Sequence, residues 1–596
     1  MNTQEKITAL RKLMASEGID AYIIPSNDPH MGEYIPAHWQ ARQWISGFTG
    51  SAGTVVVTRD YAGLWTDSRY FLQAEDQLKG SGIELQKLKI PHTPEHIEWI
   101  AHNLNVGNTV GIDGKLLSPD MKRRMEKSFS AKEIQLCLKY DFIGQLWNDR
   151  PALPDCPVFI HNVEYTGKST KEKLAELRSG MAAAGVSHHL FATLDDIAWL
   201  FNIRSADVDF SPLAVSYALV SMTDACLFIN PAKIAAEVRT ALESEGVSLY
   251  SYEQISDALA KLSKDDSVML DPSNVNMWLM ENIPQNAKIV EGAAFTSLMK
   301  AIKNTTELSN IRQTMINDGI AMVKFLMWLE ENIGQKKITE ISASEKLHEF
   351  RSKQPGFMGE SFGTIAGYKG HGAIVHYEAT PETDAELHPE GLFLLDSGGQ
   401  YLGGTTDITR VIALGYPSPQ EKRDFTLALK GTIALSMAVF PEGTKGYQLE
   451  AFARMPLWKC GLNYGHGTGH GVGFFLNVHE GPQSIGSSAS GAAAVPLQPG
   501  MITSIEPGLY LEDKYGIRTE NMAEVVEKTT SAYGRFFTFE PLSLCPIDRK
   551  LIDVSLLTIE EKAWLNDYHV KVFWKLSQKL TVEETTWLQA RTYRIR

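Results

Sequence analysis

Three histidines lie close together in a glycine-rich stretch of the sequence. His466, His470 and His479 fall within Gly465–Glu480, and the intervening glycines let the backbone approach a shared site closely. Six of the 16 histidines lie between His371 and His479, so this part of the chain is enriched in imidazole. The concentration points to a site without defining it, and we interpret His371 and His388 as structural residues.

Two aspartates upstream of the histidines are also candidate site residues. Asp396 ends the apolar run Leu392–Leu395, and Asp407 lies in a β-branched segment eleven residues later, which predicts a hairpin with an acid on each strand. An aspartate that ends a buried strand is costly unless it is paired or binds a metal, and two adjoining acids repel without a cation. Read alone, Asp396 is more typical of a residue that starts a turn before Gly398, and the pairing with Asp407 favours the metal site.

Two glutamates occur in similar positions further on. Glu506 ends a β-type run and precedes Pro-Gly, and Glu520 lies in the β-type segment Gly516–Val526. Alternation along that predicted strand places Arg518 and Glu520 on one face. Read alone, Glu520 is also typical of a surface strand residue beside an arginine.

The four acids and one histidine form an oxygen-rich set that suits hard or borderline divalent ions. Four carboxylates balance two divalent ions, and a bridging hydroxide leaves the centre near neutral, whereas one ion leaves net repulsion. Two ions about 3.5–4 Å apart would hold that hydroxide as nucleophile and stabilise the developing oxyanion. The sequence therefore predicts a two-metal hydrolytic centre.

Two helix-then-strand segments precede this region. Residues 3–17 and Ala21–Pro25 form the first, and the pattern returns after residue 170 with His189–Ala192, an offset of roughly 160–170 residues. The offset predicts two similar α/β domains in tandem, although unrelated α/β stretches can share such a pattern. The proline-rich segment Pro151–Pro157 is predicted to link them.

The remainder of the chain is predicted to be an α+β domain. It opens with a helix over Thr306–Glu331, contains a small-residue stretch at Ser484–Ala494 that we interpret as a flexible loop, and closes with the tryptophan-containing tail Leu551–Arg596. We interpret the tail as a packing surface. The predicted domains are residues 1–152, 153–302 and 303–596.

Composition excludes several classes of protein. With 71 acidic against 57 basic residues, nucleic acid is not an expected partner. No apolar run approaches the roughly 20 residues that span a bilayer, and the N-terminus has no signal-peptide pattern. The glycine run lacks the Gly-Lys-Ser/Thr ending of a phosphate loop. Five scattered cysteines suit a reducing compartment, so we expect a cytoplasmic protein.

The order of these motifs resembles the pita-bread metallopeptidases of family M24. The order is Asp, Asp eleven residues later, Gly-His-Gly-x-Gly-His, Ser-x-Glu-Pro-Gly and Arg-x-Glu-Asn. His371–Tyr377 and Asn477–Pro482 further resemble the long, three-domain Xaa-Pro aminopeptidases. This resemblance implies two tandem creatinase-like (ribonuclease H-like) α/β domains, followed by a pita-bread catalytic domain with a C-terminal extension.

The resemblance also implies roles for individual residues. Two metal ions, usually manganese with cobalt or zinc as alternatives, would be held by Asp396, Asp407, His470, Glu506 and Glu520. Asp407 and Glu520 would bridge the ions, and Glu506 would also shuttle a proton between water and the leaving nitrogen. The residues expected around the scissile bond are His376, His466 and His479, while Arg518 would contact the substrate or fix Glu520.

The function implied is that of a metalloaminopeptidase that releases the N-terminal residue from peptides with proline in second position, by attack of a metal-bridging hydroxide. The expected partners are such peptides and a second copy of the chain, in a homodimer. Prolidase is the alternative hydrolase, disfavoured by the two leading domains. A non-catalytic pita-bread binding module, or a metal-free creatine hydrolase type, is disfavoured because all five ligand types are present.

Overall fold

The computed structural model describes residues 1–90 and 93–596, and the chain divides into two compact units. Unit 1 comprises Met1–Ile160 with Lys168–Thr296, and unit 2 comprises His161–Gly167 with Ser297–Arg596. The three domain ranges given above stay a prediction.

The first half of unit 1 is built on a six-stranded mixed sheet in the order β4-β3-β2-β1-β5-β6. Its strands are β1 Ala21–Pro25, β2 Thr54–Thr58, β3 Ala62–Thr66, β4 Glu84–Lys87, β5 Thr109–Gly111 and β6 Gln135–Cys137. Its helices are α1 Thr3–Ser16, α2 Ala41–Ser46, α3 Phe71–Gln77, α4 Glu95–Asn103, α5 Pro119–Phe129 and α6 Phe142–Leu146.

The second half repeats this arrangement. Its strands are β7 Phe159–Ile160, β8 His188–Phe191, β9 Ile203–Arg204, β10 Ser216–Ser221, β11 Ala225–Ile229, β12 Val247–Tyr250, β13 Ser267–Leu270 and β14 Lys288–Glu291. Its helices are α8 Thr170–Ala184, α9 Leu194–Leu200, α10 Ala236–Ser244, α11 Ile255–Ala260 and α12 Met277–Asn282. The six-stranded sheet has the order β12-β11-β10-β8-β13-β14. In this sheet β8, β10, β11, β12, β13 and β14 take the positions that β1, β2, β3, β4, β5 and β6 take in the first half. The predicted tandem repeat is confirmed.

Local sequence explains the helix that opens each half. Asn2 and Glu5 form a capping box at the start of α1, and Ser169 and Glu172 form one at the start of α8. Gly185, with φ of 66°, ends α8 in the left-handed region. Residues 151–157 contain neither helix nor strand, as the proline-rich linker predicts.

Unit 2 contains one six-stranded sheet, in the order β21-β28-β27-β24-β22-β23, and smaller sheets in the orders β15-β18-β19, β16-β17-β20 and β25-β26. Its strands are β15 Phe357–Glu360, β16 Ile365–Tyr368, β17 Leu392–Ser397, β18 Gly399–Tyr401, β19 Gly404–Thr405, β20 Ile408–Ala413, β21 Val439–Pro441, β22 Gly469–Gly471, β23 Glu480–Ile485, β24 Ile502–Ile505, β25 Gly508–Leu511, β26 Tyr515–Arg518, β27 Asn521–Ser531 and β28 Gly534–Pro541. Its helices are α7 Val163–Thr166, α13 Phe295–Ala301, α14 Thr305–Asn332, α15 Glu340–Ser352, α16 Pro419–Ser436, α17 Gly446–Trp458, α18 Ile559–Leu576 and α19 Val582–Arg591.

Strand β17 is buried on both faces, which fixes the end that carries Asp396. Leu392 and Leu394 pack into one apolar cluster, while Phe393 and Leu395 pack into another. Because both faces are covered, the strand has little freedom to move, and it delivers its terminal acid to a defined place.

Three sequence-based details need correction. Asp407 lies just before β20 rather than on the strand. Glu520 lies between β26 and β27 rather than within a strand, since β26 ends at Arg518 and β27 begins at Asn521. In the stretch Ser484–Ala494, the first two residues belong to β23 and Gly491–Ala494 form a 3-10 turn, so only residues 486–490 lack regular structure.

Candidate metal centre

Antiparallel pairing in unit 2 brings the predicted acids to the ends of neighbouring strands. Asp396 pairs with Thr409 across β17 and β20, only two residues from Asp407. Ile505 pairs with Asn521 across β24 and β27, which places the adjoining Glu506 and Glu520 at the same end of that pair. Side-chain oxygens of Asp407 and Glu520 and a ring nitrogen of His470 all lie within 4.8 Å of one another.

The ring of His470 is oriented as a metal ligand requires. Its Nδ1 lies 2.9 Å from the Gly471 carbonyl, which can only accept, so Nδ1 carries the proton of a neutral ring. Nε2 then presents a lone pair to Asp407 Oδ2 at 3.4 Å and Glu506 Oε1 at 3.3 Å. A lone pair facing two carboxylates is unfavourable unless a proton or a cation lies between them, and ligating histidines commonly donate their other N–H to a carbonyl.

Protonation in the metal-free protein reflects this crowding. Burial disfavours the charged imidazole, but the hydrogen bond to Asp407 and the charge of Glu506 outweigh it and raise the pKa of His470 to about 9. Burial, followed by the neighbouring carboxylates, raises the pKa of Glu520 well above its usual value. Burial likewise raises the pKa of Asp396 and of Glu506. The three carboxyl groups are therefore held away from their charged forms until positive charge is supplied, whereas the His470 ring is held in its charged form.

One oxygen of Asp396 is left for a ligand. Its Oδ2 accepts from Arg518 over 2.6 Å, whereas Oδ1 is buried and has no hydrogen-bond partner among the described residues. Buried carboxylate oxygens are almost always paired or bound to metal. The donor set, the orphaned oxygen and the His470 lone pair therefore fit divalent cations.

Arg518 connects the acids to the surrounding side chains. Besides Asp396, its Nε donates to Thr409 Oγ1 over 3.1 Å, and Thr409 in turn donates to Glu520 Oε2 over 2.7 Å. Its Nη1 donates to the Tyr510 hydroxyl over 2.6 Å. The guanidinium is only 2% exposed, so its observed contacts hold the site, and contact with substrate stays a prediction.

The predicted substrate-facing histidines border this cluster. His466 Nε2 lies 2.8 Å from the Tyr510 hydroxyl, and Nδ1 lies 4.0 Å from Glu506 Oε2. The exposed ring of His479 lies edge-on to His470, with centroids 4.4 Å apart. His376, half-buried, follows Val375, whose carbonyl lies 3.5 Å from Arg518 Nη2. Their roles at a scissile bond stay predictions.

The segment that carries His376 is anchored by the buried carboxylate of Glu340. Glu340 accepts from the Tyr368 amide over 2.7 Å, from the Tyr377 hydroxyl over 2.8 Å and from His371 Nδ1 over 2.9 Å. The hydrogen bond to Glu340 raises the pKa of His371. His371 therefore supports the segment rather than facing the acids.

Two polar residues of the centre escaped the sequence reasoning. Thr409 follows Asp407 by two positions, and Tyr510 follows Glu506 by four, so each shares an extended-chain face with a predicted ligand. Alternation along these segments could have found both. Their hydrogen bonds to Arg518 could not be read from local pattern, because they join separate strands.

Comparison with known proteins shows which family the chain belongs to. A model of metallopeptidase family M24 matches residues 309–527, and the chain is 42% identical to aminopeptidase P2 of Arabidopsis thaliana, over 98% of this chain and 88% of that protein. The chain belongs to metallopeptidase family M24. Models of the creatinase/prolidase N-terminal domain match residues 6–137 and 149–307, and a model of the M24 C-terminal region matches residues 535–595.

Other known proteins resemble this chain. A probable Xaa-Pro aminopeptidase P of Neurospora crassa is 42% identical over 95% of this chain and 85% of its own. The crystal structure of an X-prolyl aminopeptidase from Caenorhabditis elegans, described as a cytosolic enzyme with a di-nuclear active site, superposes with a TM-score of 0.95 at 35% identity over 100% of both chains. A prolidase from Pyrococcus horikoshii, at 22% identity and a TM-score of 0.50, covers 64% of this chain and shares the fold alone.

These comparisons confirm the fold class and the family that the sequence predicted: two creatinase-like N-terminal domains precede an M24 pita-bread domain. Within the described residues, no helix is both long and apolar enough to span a membrane.

Proposed function

We propose that this M24 protein is a metal-dependent Xaa-Pro aminopeptidase, which releases the N-terminal residue from peptides with proline in second position. The observation that carries the proposal is the orientation of His470, whose Nε2 faces Asp407 and Glu506 at 3.4 and 3.3 Å. The substrate class is supported by relatives of nearly full length that bear the Xaa-Pro aminopeptidase name.

Two divalent ions suit the proposed centre. The ligands would be Asp396, Asp407, His470, Glu506 and Glu520. Four carboxylates balance the charge of two such ions, and bound ions of this kind lower the pKa of water and polarise a carbonyl oxygen. Manganese is the ion we propose, and cobalt and zinc suit the same oxygen-rich set with one imidazole.

Glu506 is placed to move a proton. It is half-buried while Asp396, Asp407 and Glu520 are buried, so of the four acids it is the one in partial contact with solvent. Its Oε1 accepts from Ser504 Oγ over 3.1 Å, which fixes the carboxylate. We propose that this carboxylate takes the proton of the attacking water and gives it to the leaving proline nitrogen, which as a tertiary amide must be protonated to depart.

The histidines that border the centre would stabilise the developing oxyanion. Imidazole N–H groups aimed at the position of the tetrahedral oxygen act in this way, and loss of one such donor commonly costs on the order of 10²-fold in rate. We propose this role for His376 and His479. We leave His466 out of this role because its Nε2 already contacts the Tyr510 hydroxyl.

A peptide panel tests the proposal. Peptides matched except for proline or alanine in second position are incubated with protein loaded with manganese, cobalt or zinc, and products are identified by mass spectrometry. We expect release of the first residue from the proline peptides only. Cleavage confined to Xaa-Pro dipeptides would support prolidase instead, and no hydrolysis with any ion would contradict an enzymatic function.

Two further properties are part of the proposal. We infer that the protein is a homodimer, which light scattering coupled to size exclusion tests. We also infer that it resides in the cytoplasm, since the similar C. elegans enzyme is described as cytosolic and all five cysteines are free thiols. Fractionation of the source cells tests the location.

A further inference from the structure

A buried arginine joins the candidate metal centre to the C-terminal region. Arg410 lies in β20 and is only 2% exposed. Its Nη1 donates to the Glu520 carbonyl over 2.6 Å and to the Thr409 carbonyl over 2.9 Å. The backbone on both sides of the proposed centre is therefore tied to one guanidinium.

The other nitrogens of Arg410 reach into the C-terminal region. Nη2 lies 2.9 Å from the Cys545 carbonyl and 2.7 Å from the Tyr568 hydroxyl, and Nε lies 3.3 Å from the Pro546 carbonyl. Tyr568 lies on α18, 158 residues further along the chain. Helix α18 falls in the region matched by the M24 C-terminal model rather than by the catalytic one.

Neutral groups alone satisfy this cation. Among the described residues no carboxylate pairs with Arg410, and its five N–H donors are met by carbonyl, amide and hydroxyl oxygens. A buried guanidinium is costly unless its donors are all satisfied, so each acceptor is held where the guanidinium requires it. Its placement is consequently sensitive to the loss of any one acceptor.

The Tyr568 hydroxyl contacts Cys545 and the residue next to Glu520. The hydroxyl lies 2.9 Å from the Cys545 carbonyl and 3.2 Å from Asn521 Oδ1, and Asn521 directly follows Glu520. Trp564, one turn earlier on α18, stacks on the Tyr568 ring at 5.5 Å with an interplanar angle of 1°. The aromatic pair keeps the hydroxyl in place against Arg410.

We propose that Tyr568 and Arg410 are positioning residues for the metal ligand Glu520. Through Tyr568, the C-terminal region then helps to hold the metal centre in place. This inference rests on the proposed function, because it assigns Glu520 to the ions. Groups that orient ligands from behind commonly affect metal affinity by 10- to 100-fold when they are altered.

The test compares manganese affinities of full-length variants. Metal-free wild type, Tyr568→Phe, Arg410→Lys and the control Tyr401→Phe are titrated with manganese against a fluorescent chelator. Tyr401 is a matched control because its hydroxyl is also buried, but it donates to Asp318 over 3.0 Å and has no contact with Glu520. Amide hydrogen exchange of residues 518–522 is measured on the same metal-free samples.

We expect Tyr568→Phe to weaken manganese binding about tenfold and Arg410→Lys about 100-fold, with Tyr401→Phe within twofold of wild type. Exchange at residues 518–522 should rise in Tyr568→Phe and not in Tyr401→Phe. If Arg410→Lys does not fold, Tyr568→Phe decides the matter alone.

Two results would overturn the inference. One is an affinity of Tyr568→Phe within twofold of wild type, and the other is an equal loss in Tyr401→Phe, which would reflect general destabilisation. If wild type binds no manganese, cobalt or zinc, the proposed function itself fails, and this inference fails with it.

Discussion

Tyr510 offers a sharp test of how the centre is organised, because its hydroxyl lies between a metal-ligand partner and a predicted substrate-facing histidine. It accepts from Arg518 Nη1 over 2.6 Å and lies 2.8 Å from His466 Nε2. His466 Nδ1 lies 2.7 Å from the Gly467 carbonyl and so carries the proton of the neutral ring, which means that Tyr510 donates to Nε2. Tyr510→Phe removes both interactions and leaves the ring in place.

The expected magnitude follows from those two bonds. A hydrogen bond to a charged group contributes about 1.5–3 kcal/mol and a neutral one about 1 kcal/mol. Arg518 keeps Asp396 and Thr409 as partners, so part of the loss is recovered. We expect a net loss of about 1.4–2.7 kcal/mol in transition-state stabilisation, which corresponds to a fall in kcat of about 10- to 100-fold.

The assay is steady-state hydrolysis of a peptide with proline in second position, together with metal content. We expect kcat to fall as stated, KM to change less than threefold, and metal content to match wild type, because Tyr510 is not a proposed ligand. Tyr401→Phe serves as the control for loss of a buried hydroxyl. A kcat within twofold of wild type would refute the reasoning, and so would loss of the ions.

Further outcomes follow from the buried acids and His470. The raised pKa of His470, about 9, means that this ring is protonated at pH 7 in metal-free protein. Metal binding needs the Nε2 lone pair, so metal loading should release about one proton from His470, and metal affinity should rise with pH toward 9. Calorimetry in buffers of different ionisation enthalpy measures the proton release. A proton release that does not differ from zero would contradict this assignment. Glu340→Gln places an amide against N–H donors and should lower the free energy of unfolding by about 2–3 kcal/mol, as thermal unfolding can measure. The control Glu345→Gln, at an exposed position of the same helix, should change it by less than about 0.5 kcal/mol. Equal unfolding midpoints for the two variants would show that Glu340 does not anchor its segment.

Much of the architecture was predictable because it depends on local pattern. The helix expected over Thr306–Glu331 is observed as Thr305–Asn332, and the expected strand Ala21–Pro25 has the same bounds in the structure. Capping residues and apolar periodicity specify such elements within a short window. The tandem repeat could be predicted for the same reason.

The exact ends of strands were harder to predict from the sequence. The segment around Glu520 has β-type composition throughout, so its pattern suggested one strand, yet β26 ends at Arg518 and β27 begins at Asn521. No glycine or proline marks this break between the strands. Tertiary hydrogen bonds, among them the Thr409 hydroxyl donating to Glu520, hold Glu520 outside the regular strands.

Contacts between distant parts of the chain could not be predicted from one sequence. Arg410 and Tyr568 are separated by 158 positions, and neither belongs to a local pattern that names the other. The link between Tyr510 and Arg518 is shorter in sequence, but it depends on the β25–β26 hairpin that brings the two side chains together. The metal ligands could be predicted from their residue types and spacing. The side chains that hold those ligands in place could be identified only from the folded structure.

Metal content is the most direct test of the central claim, that Asp396, Asp407, His470, Glu506 and Glu520 form a two-ion hydrolytic centre. Protein saturated with manganese and freed of excess ions is analysed by inductively coupled plasma mass spectrometry, beside an Asp407→Asn variant. We predict about two ions per chain for wild type and a clear loss for the variant. Wild type without bound divalent ions, or a variant that retains both, would contradict the account.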